Sequence, residues 1–138
     1  MDKYNETLKG YATELNDETV KLNVEKILRD NLEKNSRSEI YQLLFSCIDL
    51  TTLKTTDSNI SVAAFTKRVN DFENEHPDMK NVAAICVYPN FTSTVRMNLE
   101  VSEVNIAAVS AGFPSSQTFT EVKVAETSMA VADGADEI

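Results

Sequence analysis

The sequence predicts an α/β chain whose strand-helix units build a parallel sheet behind a separate helical segment. Three observations carry that expectation. From Phe45 onward, short apolar runs alternate with longer stretches of helical period. One of those runs, residues 82–87, is almost wholly apolar, as a parallel strand covered on both faces requires. The loops between units are short, which favours right-handed crossovers between parallel strands. Periodicity does not separate a doubly wound sheet from a (β/α)8 barrel, but length does. A barrel takes ~250 residues, so a chain of 138 residues can supply only its first half.

The elements follow in order. Leu8, Tyr11 and Leu15 precede Val20, Val24, Ile27, Leu28 and Leu32, and the second set has the i, i+3, i+4 spacing of a helix with one buried stripe. Asp17 or Thr19 offers its cap, because a short side-chain oxygen satisfies the first free amides. A third helix is expected over 38–44. The expected role of this segment is a helical cap packed on the main domain, and a partner-binding arm is the alternative. A first strand is expected over 45–50, then a helix over 61–75 with Ala64, Phe65, Val69 and Phe72 inward and Asp57 or Ser58 as cap. Tyr88-Pro89 ends the second strand. A short helix over 91–99, a strand over 105–110 and a loop over 111–116 come next. The last helix, 118–133, has Val122, Ala125, Met129 and Ala132 on one face and Gly134 as a left-handed stop.

Composition narrows the classes of function. Thirteen basic against 22 acidic residues give a net charge of −9, which repels phosphate backbones unless the cations cluster. They are scattered among acids, so no nucleic-acid platform is expected. Three glycines and three prolines exclude a collagen-like or disordered chain. No apolar run reaches the ~18 residues of a membrane span, and the polar N-terminus is unlike a signal sequence. Two cysteines make no disulfide framework. A reduced, cytoplasmic protein without membrane attachment is expected.

Five separated motifs then converge on one family. Cys47-Ile48-Asp49-Leu50-Thr51-Thr52-Leu53, Ala83-Ala84-Ile85-Cys86-Val87-Tyr88-Pro89, Ala111-Gly112-Phe113-Pro114, Ala125-Glu126-Thr127 and Asp133-Gly134-Ala135-Asp136-Glu137-Ile138 resemble deoxyribose-phosphate aldolase in order, spacing and placement at strand ends. The resemblance implies an incomplete (β/α)8 TIM barrel. Residues 45–138 would hold the first three βα units and the start of the fourth strand, and residues 1–44 an N-terminal helical cap. It implies cleavage of 2-deoxyribose 5-phosphate to glyceraldehyde 3-phosphate and acetaldehyde through a lysine Schiff base, with no metal or organic cofactor. Asp49, Thr51, Leu53, Cys86 and Phe113 match pocket positions. Gly112 stands where an Asn is common in the family. The Schiff-base lysine, its lysine neighbour and the phosphate-gripping loops belong to later strands, so the resemblance places no catalytic residue in this chain. The phosphorylated sugar would be the substrate of a full-length parent.

The residues themselves agree on the lysine. A Schiff-base lysine must be held neutral by burial or a nearby cation, whereas Lys54, Lys67, Lys80 and Lys123 all stand where a solvated surface cation is expected. Asp49, flanked by Ile48 and Leu50, is costly to bury unless paired. Cys47 and Cys86 have the setting of small core residues, and His76 has no partner that would make it a base. Half a barrel would also leave an edge unpaired and one face of its strands uncovered. Ile48, Leu50, Ile85, Val87, Ile106 and Ala108 are expected on that face, and self-association or a second chain completing the barrel is the expected remedy. The alternative to an aldolase portion is therefore a truncated half-barrel that self-associates or binds a partner.

Overall fold

A computed structural model describes residues 2–11 and 15–138. The chain divides into two compact units, Met1–Ile40 and Tyr41–Ile138.

The first unit contains helix α1 (Lys3–Leu8), helix α2 (Asp17–Asn35) and the opening turn of α3 (Ser38–Phe45). Asn16, not Asp17 or Thr19, caps α2, with its side chain accepting the Thr19 N–H at 2.8 Å. The helix begins one residue after an Asx side chain, and Asp17 lies in its first turn, where an acid favours the dipole. The expected buried stripe is not found. No residue of α2 is buried, and Val20, Val24, Ile27, Leu28 and Leu32 are all exposed.

The second unit begins inside α3. Phe45 closes that helix instead of opening a strand, because its ring packs 4.9 Å from Phe72 and against the core. Strand β1 is consequently short, Asp49–Thr51. Helix α4 (Asn59–Glu75) starts at a capping box in which Ser58 accepts the Ser61 N–H and the Ser61 hydroxyl accepts the Ser58 N–H. Its inward face is Val62, Thr66, Val69 and Asn70. Phe65 and Phe72 are half-buried, while Ala64, expected inward, is exposed. Strand β2 (Ala84–Val87) ends at Tyr88, a 3-10 turn (Pro89–Phe91) leads into α5 (Thr92–Asn98), and β3 (Asn105–Ala108) precedes α6 (Thr120–Ala132).

The three strands are parallel in the order β1-β2-β3. Their register sets Leu50 beside Ile85 and Ile106, and Thr51 beside Cys86 and Ala107. Side chains alternate along a strand, so Leu50, Ile85, Val87, Ile106 and Ala108 share one face. That face is the covered one. Ile85, Val87 and Ile106 are fully buried with Val62, Val69 and Val95 of the helices, and Leu50 packs against them. The sequence expectation had these residues on the uncovered face, and the assignment is reversed. The other face carries Asp49, Thr51, Ala84, Cys86, Asn105 and Ala107, which are polar or small, with Ala84 fully buried and Asp49, Thr51 and Asn105 exposed. A large apolar penalty for leaving it open therefore does not arise.

Helix α6 also turns a different side inward. Val122, Ala125, Met129 and Ala132 are exposed, while Ala130 is fully buried and Glu126 and Thr127 are half-buried. Gly134 does stop the helix, at φ +101°, and a Cβ there would come 2.8 Å from Arg96 Nε. Beyond it Asp136 accepts the Ile106 N–H at 2.9 Å and pairs with Arg96 at 2.8 Å. Glu137 forms an isolated parallel bridge to Ala107 of β3.

Candidate functional site

In parallel sheets flanked by helices, chemistry gathers at the carboxyl ends of the strands, where loops from several strands meet. The loops after β1 and β3 are fixed by side-chain hydrogen bonds, and the loop after β2 by a proline turn. After β1, the Asp57 carboxylate accepts the Thr52 hydroxyl at 2.8 Å and the Lys54 N–H at 2.9 Å. These bonds fold the loop that carries Leu53 back toward the start of α4. After β2, Pro89 opens the 3-10 turn, where its fixed φ and missing N–H are tolerated. After β3, Ala111 and Gly112 take positive φ of 57° and 73°. Glu126 of α6 accepts the Gly112 N–H at 2.9 Å, and the Ser110 and Thr127 hydroxyls share a bond of 2.7 Å.

The open sheet face brings three of the sequence-derived positions together. Asp49 and Thr51 project from β1 by alternation, and Cys86 lies beside Thr51 in register. Asp49 is exposed, so the cost of a buried acid between Ile48 and Leu50 does not apply. Its neighbour Ile48 is itself 42% exposed. The Cys86 thiol is half-buried, and burial pushes its pKa above the ordinary thiol value. A hydrogen bond with Thr51 pulls it down in part, and the Asp49 charge pushes it up again. Leu53 and Phe113 stand on the loops after β1 and β3 instead of on this face. Leu53 is half-buried and Phe113 is 46% exposed.

A thiol held protonated predicts low reactivity at neutral pH, since the thiolate is the nucleophile. Iodoacetamide at pH 7.5 is expected to alkylate exposed Cys47 before Cys86, as read by peptide mass spectrometry. The pH sign follows from linkage. As pH rises past the ordinary thiol pKa of about 8.5, the unfolded chain loses the Cys86 proton before the folded one, so stability falls with pH. Cys86→Ala is expected to flatten that decline.

The lysines stay outside this chemistry. Lys54, Lys67 and Lys80 are exposed and Lys123 is half-buried on α6. Lys67 has its pKa raised, chiefly by its hydrogen bond to Asp71, the opposite of what an amine nucleophile requires. Several organising residues escaped single-residue inspection of the sequence. Asp57 is legible in the sequence only as a cap candidate, and Arg96 and Asp136 meet across 40 positions, a separation that no local pattern records.

No protein-family model matches the sequence. A Caenorhabditis elegans protein provisionally named deoxyribose-phosphate aldolase is 40% identical over 93 residues, covering 66% of this chain and 30% of its own length. The deoxyribose-phosphate aldolase of Agrobacterium fabrum is 32% identical over 107 residues, covering 78% of this chain and 39% of its own. The chain is a relative of the deoxyribose-phosphate aldolases. It spans between 30% and 39% of the length of these two relatives. A solved structure titled "QR15, an Aldolase" is 27% identical with a TM-score of 0.56 over 67% of this chain and 37% of that one. A Coccidioides immitis crystal structure, provisionally titled deoxyribose-phosphate aldolase, has a TM-score of 0.58 over 70% of this chain and 34% of that one, at 23% identity. The likeness supports the three-stranded parallel sheet with its helices as part of an aldolase fold.

Three of the five motifs shared with the deoxyribose-phosphate aldolases are tied together or to the sheet by hydrogen bonds. Glu126 and Thr127 of one motif bond to the loop that holds Gly112 and Phe113 of another. Asp136 of the last motif closes on β3.

Proposed function

We propose that residues 41–138 form one wall of a deoxyribose-phosphate aldolase pocket, in a protein whose Schiff-base lysine is not among these 138 residues. The observation that carries this reading is the open sheet face, where Asp49, Thr51 and Cys86 come together beneath loops bearing Leu53 and Phe113. In that pocket the Asp49 carboxylate would accept hydrogen bonds from water or from an ammonium group. Thr51 would offer a hydroxyl, and Cys86, kept as a thiol, would be a small neutral neighbour. The substrate would be 2-deoxyribose 5-phosphate, with the phosphate held by loops outside these residues. Free Cys47 and Cys86 fit a reducing cytoplasmic setting.

Two measurements test it. Borohydride reduction of the 138-residue chain with acetaldehyde is expected to single out no lysine above the background of exposed amines, and a stoichiometric adduct on one lysine would sink the reading. A chimera in which residues 41–138 replace the aligned segment of the Agrobacterium enzyme is expected to cleave 2-deoxyribose 5-phosphate. A folded but inactive chimera counts against the reading.

The exposed stripe of α2 favours a second reading, in which the chain associates with itself. Val20, Val24, Ile27 and Leu28 are each at least 45% exposed, and burying such residues is what a helix of this spacing offers. Sedimentation at micromolar concentration is expected to show a species heavier than one chain, and Val24→Asp with Ile27→Asp to return it to one. A single-chain mass for the unaltered protein rejects this second reading.

A further inference from the structure

Glu126 is a carboxylate on α6 that is half-buried and spoken for. Its Oε2 accepts the Gly112 N–H at 2.9 Å, and its side chain also lines a groove of about 380 Å³ with Pro89 and Asn90. Two of the three loops at the carboxyl end of the sheet therefore border this residue, one through a hydrogen bond and the other across the groove. The loop it holds is not relaxed. Ala111 and Gly112 are consecutive residues at positive φ, and Ser116 is a third at 55°. A non-glycine residue in that region costs on the order of 1 kcal/mol or more and persists only where its surroundings over-determine it. Here the surroundings are few: the Glu126 bond, the Ser110–Thr127 hydroxyl pair, and the Ser116 N–H donated to the Gly112 carbonyl at 2.8 Å. There is no slack at Gly112 either, since a Cβ would lie 2.9 Å from the Thr118 methyl.

We infer that Glu126 is a positioning residue of the candidate site, holding the β3-to-α6 loop, and Phe113 with it, in the one conformation that lines the pocket. The inference rests on the aldolase reading for what the loop lines, and on the geometry alone for what holds the loop. A carboxylate is suited to the task because a charged acceptor makes a stronger bond to a backbone N–H than a neutral one. Thr127 steadies the preceding residue from the next position of the same helix, so α6 fixes the loop at two adjacent points. A glutamine keeps an acceptor at the same reach, and an alanine removes it.

Hydrogen exchange on the 138-residue chain reads the tether. In Glu126→Ala the Gly112 amide is expected to exchange at least about tenfold faster, while the amides of Ile85 and Ile106 keep their protection. In Glu126→Gln the Gly112 amide is expected to stay protected. Unchanged Gly112 exchange in the alanine variant overturns the inference. Where the alanine variant loses protection everywhere, the glutamine variant decides, and loss of Gly112 protection alone in that variant overturns the role of a simple acceptor. In the active chimera, Glu126→Ala is expected to raise KM about tenfold with kcat unchanged, and Glu126→Gln to restore it, the pattern of lost uniform binding. An active chimera whose KM ignores Glu126→Ala refutes the positioning role. An inactive chimera with Glu126 in place refutes the aldolase reading instead, and the exchange result still judges the tether.

Discussion

Ile85→Ala is expected to lower the stability of the second unit by about 2 to 5 kcal/mol, the range for truncating a buried isoleucine in a core that collapses only in part. Ile85 is fully buried at the centre of the middle strand, flanked in register by Leu50 and Ile106 and faced by helix residues including Val62 and Val95. Domain stabilities are typically about 5 to 15 kcal/mol, so the loss is a large share of the whole. Urea unfolding followed by circular dichroism measures it. Cys86→Ala, one residue along and on the opposite face, is the matched control and is expected to shift the midpoint far less. A loss below about 1 kcal/mol for Ile85→Ala would mean that the helices close over the vacancy.

The second large effect concerns activity. In the chimera, Asp49→Ala is expected to lower turnover of 2-deoxyribose 5-phosphate about 100-fold, the scale on which one oriented electrostatic partner acts in a site. Cys86→Ala is expected to stay within a few-fold, since it removes a neutral packing group. The structure separates this from a folding defect. Asp49 is exposed, and exposed substitutions usually change stability by no more than about 0.5 kcal/mol, so the urea midpoint of Asp49→Ala is expected to match that of the unaltered chain. Equal, near-normal rates for both variants would remove Asp49 from the site.

Local pattern made much of this molecule legible, and the places where it failed share a cause. The apolar run through Ala84–Val87 is the middle strand, Ser58 is the cap of α4, and Gly134 ends α6, each a matter of a few adjacent residues. Periodicity along the strands puts Leu50, Ile85 and Ile106 on one side and Asp49 and Cys86 on the other. It did not tell which set the helices cover, because alternation is symmetric until a second layer is placed. The same ambiguity reversed α6. Val122 and Met129 have the spacing of an inward side, but Glu126 and Thr127 bond to a loop fourteen and seventeen residues earlier and set the rotation of the helix. On α2 the stripe was visible and its covering was not, for a stripe carries no record of its partner. In the candidate site, Asp49, Thr51 and Cys86 were found from motifs, while Asp57 was noticed only as a cap and its bonds to Thr52 and Lys54 came from the folded loop.

The bond from Ile106 N–H to Asp136 has a consequence in time. Thirty residues separate the two partners, and a ribosome adds about 5 to 20 residues per second, so β3 emerges roughly 2 to 6 seconds before the carboxylate that caps its outer edge. During that interval the Ile106 amide faces water or whatever extended segment lies nearby, and Arg96 has no Asp136 to hold. An unguarded strand edge is where nascent chains mispair. The order of synthesis thus leaves the third strand open to chaperones, or to neighbouring chains, until α6 and Gly134 have been made and the turn delivers Asp136 to it.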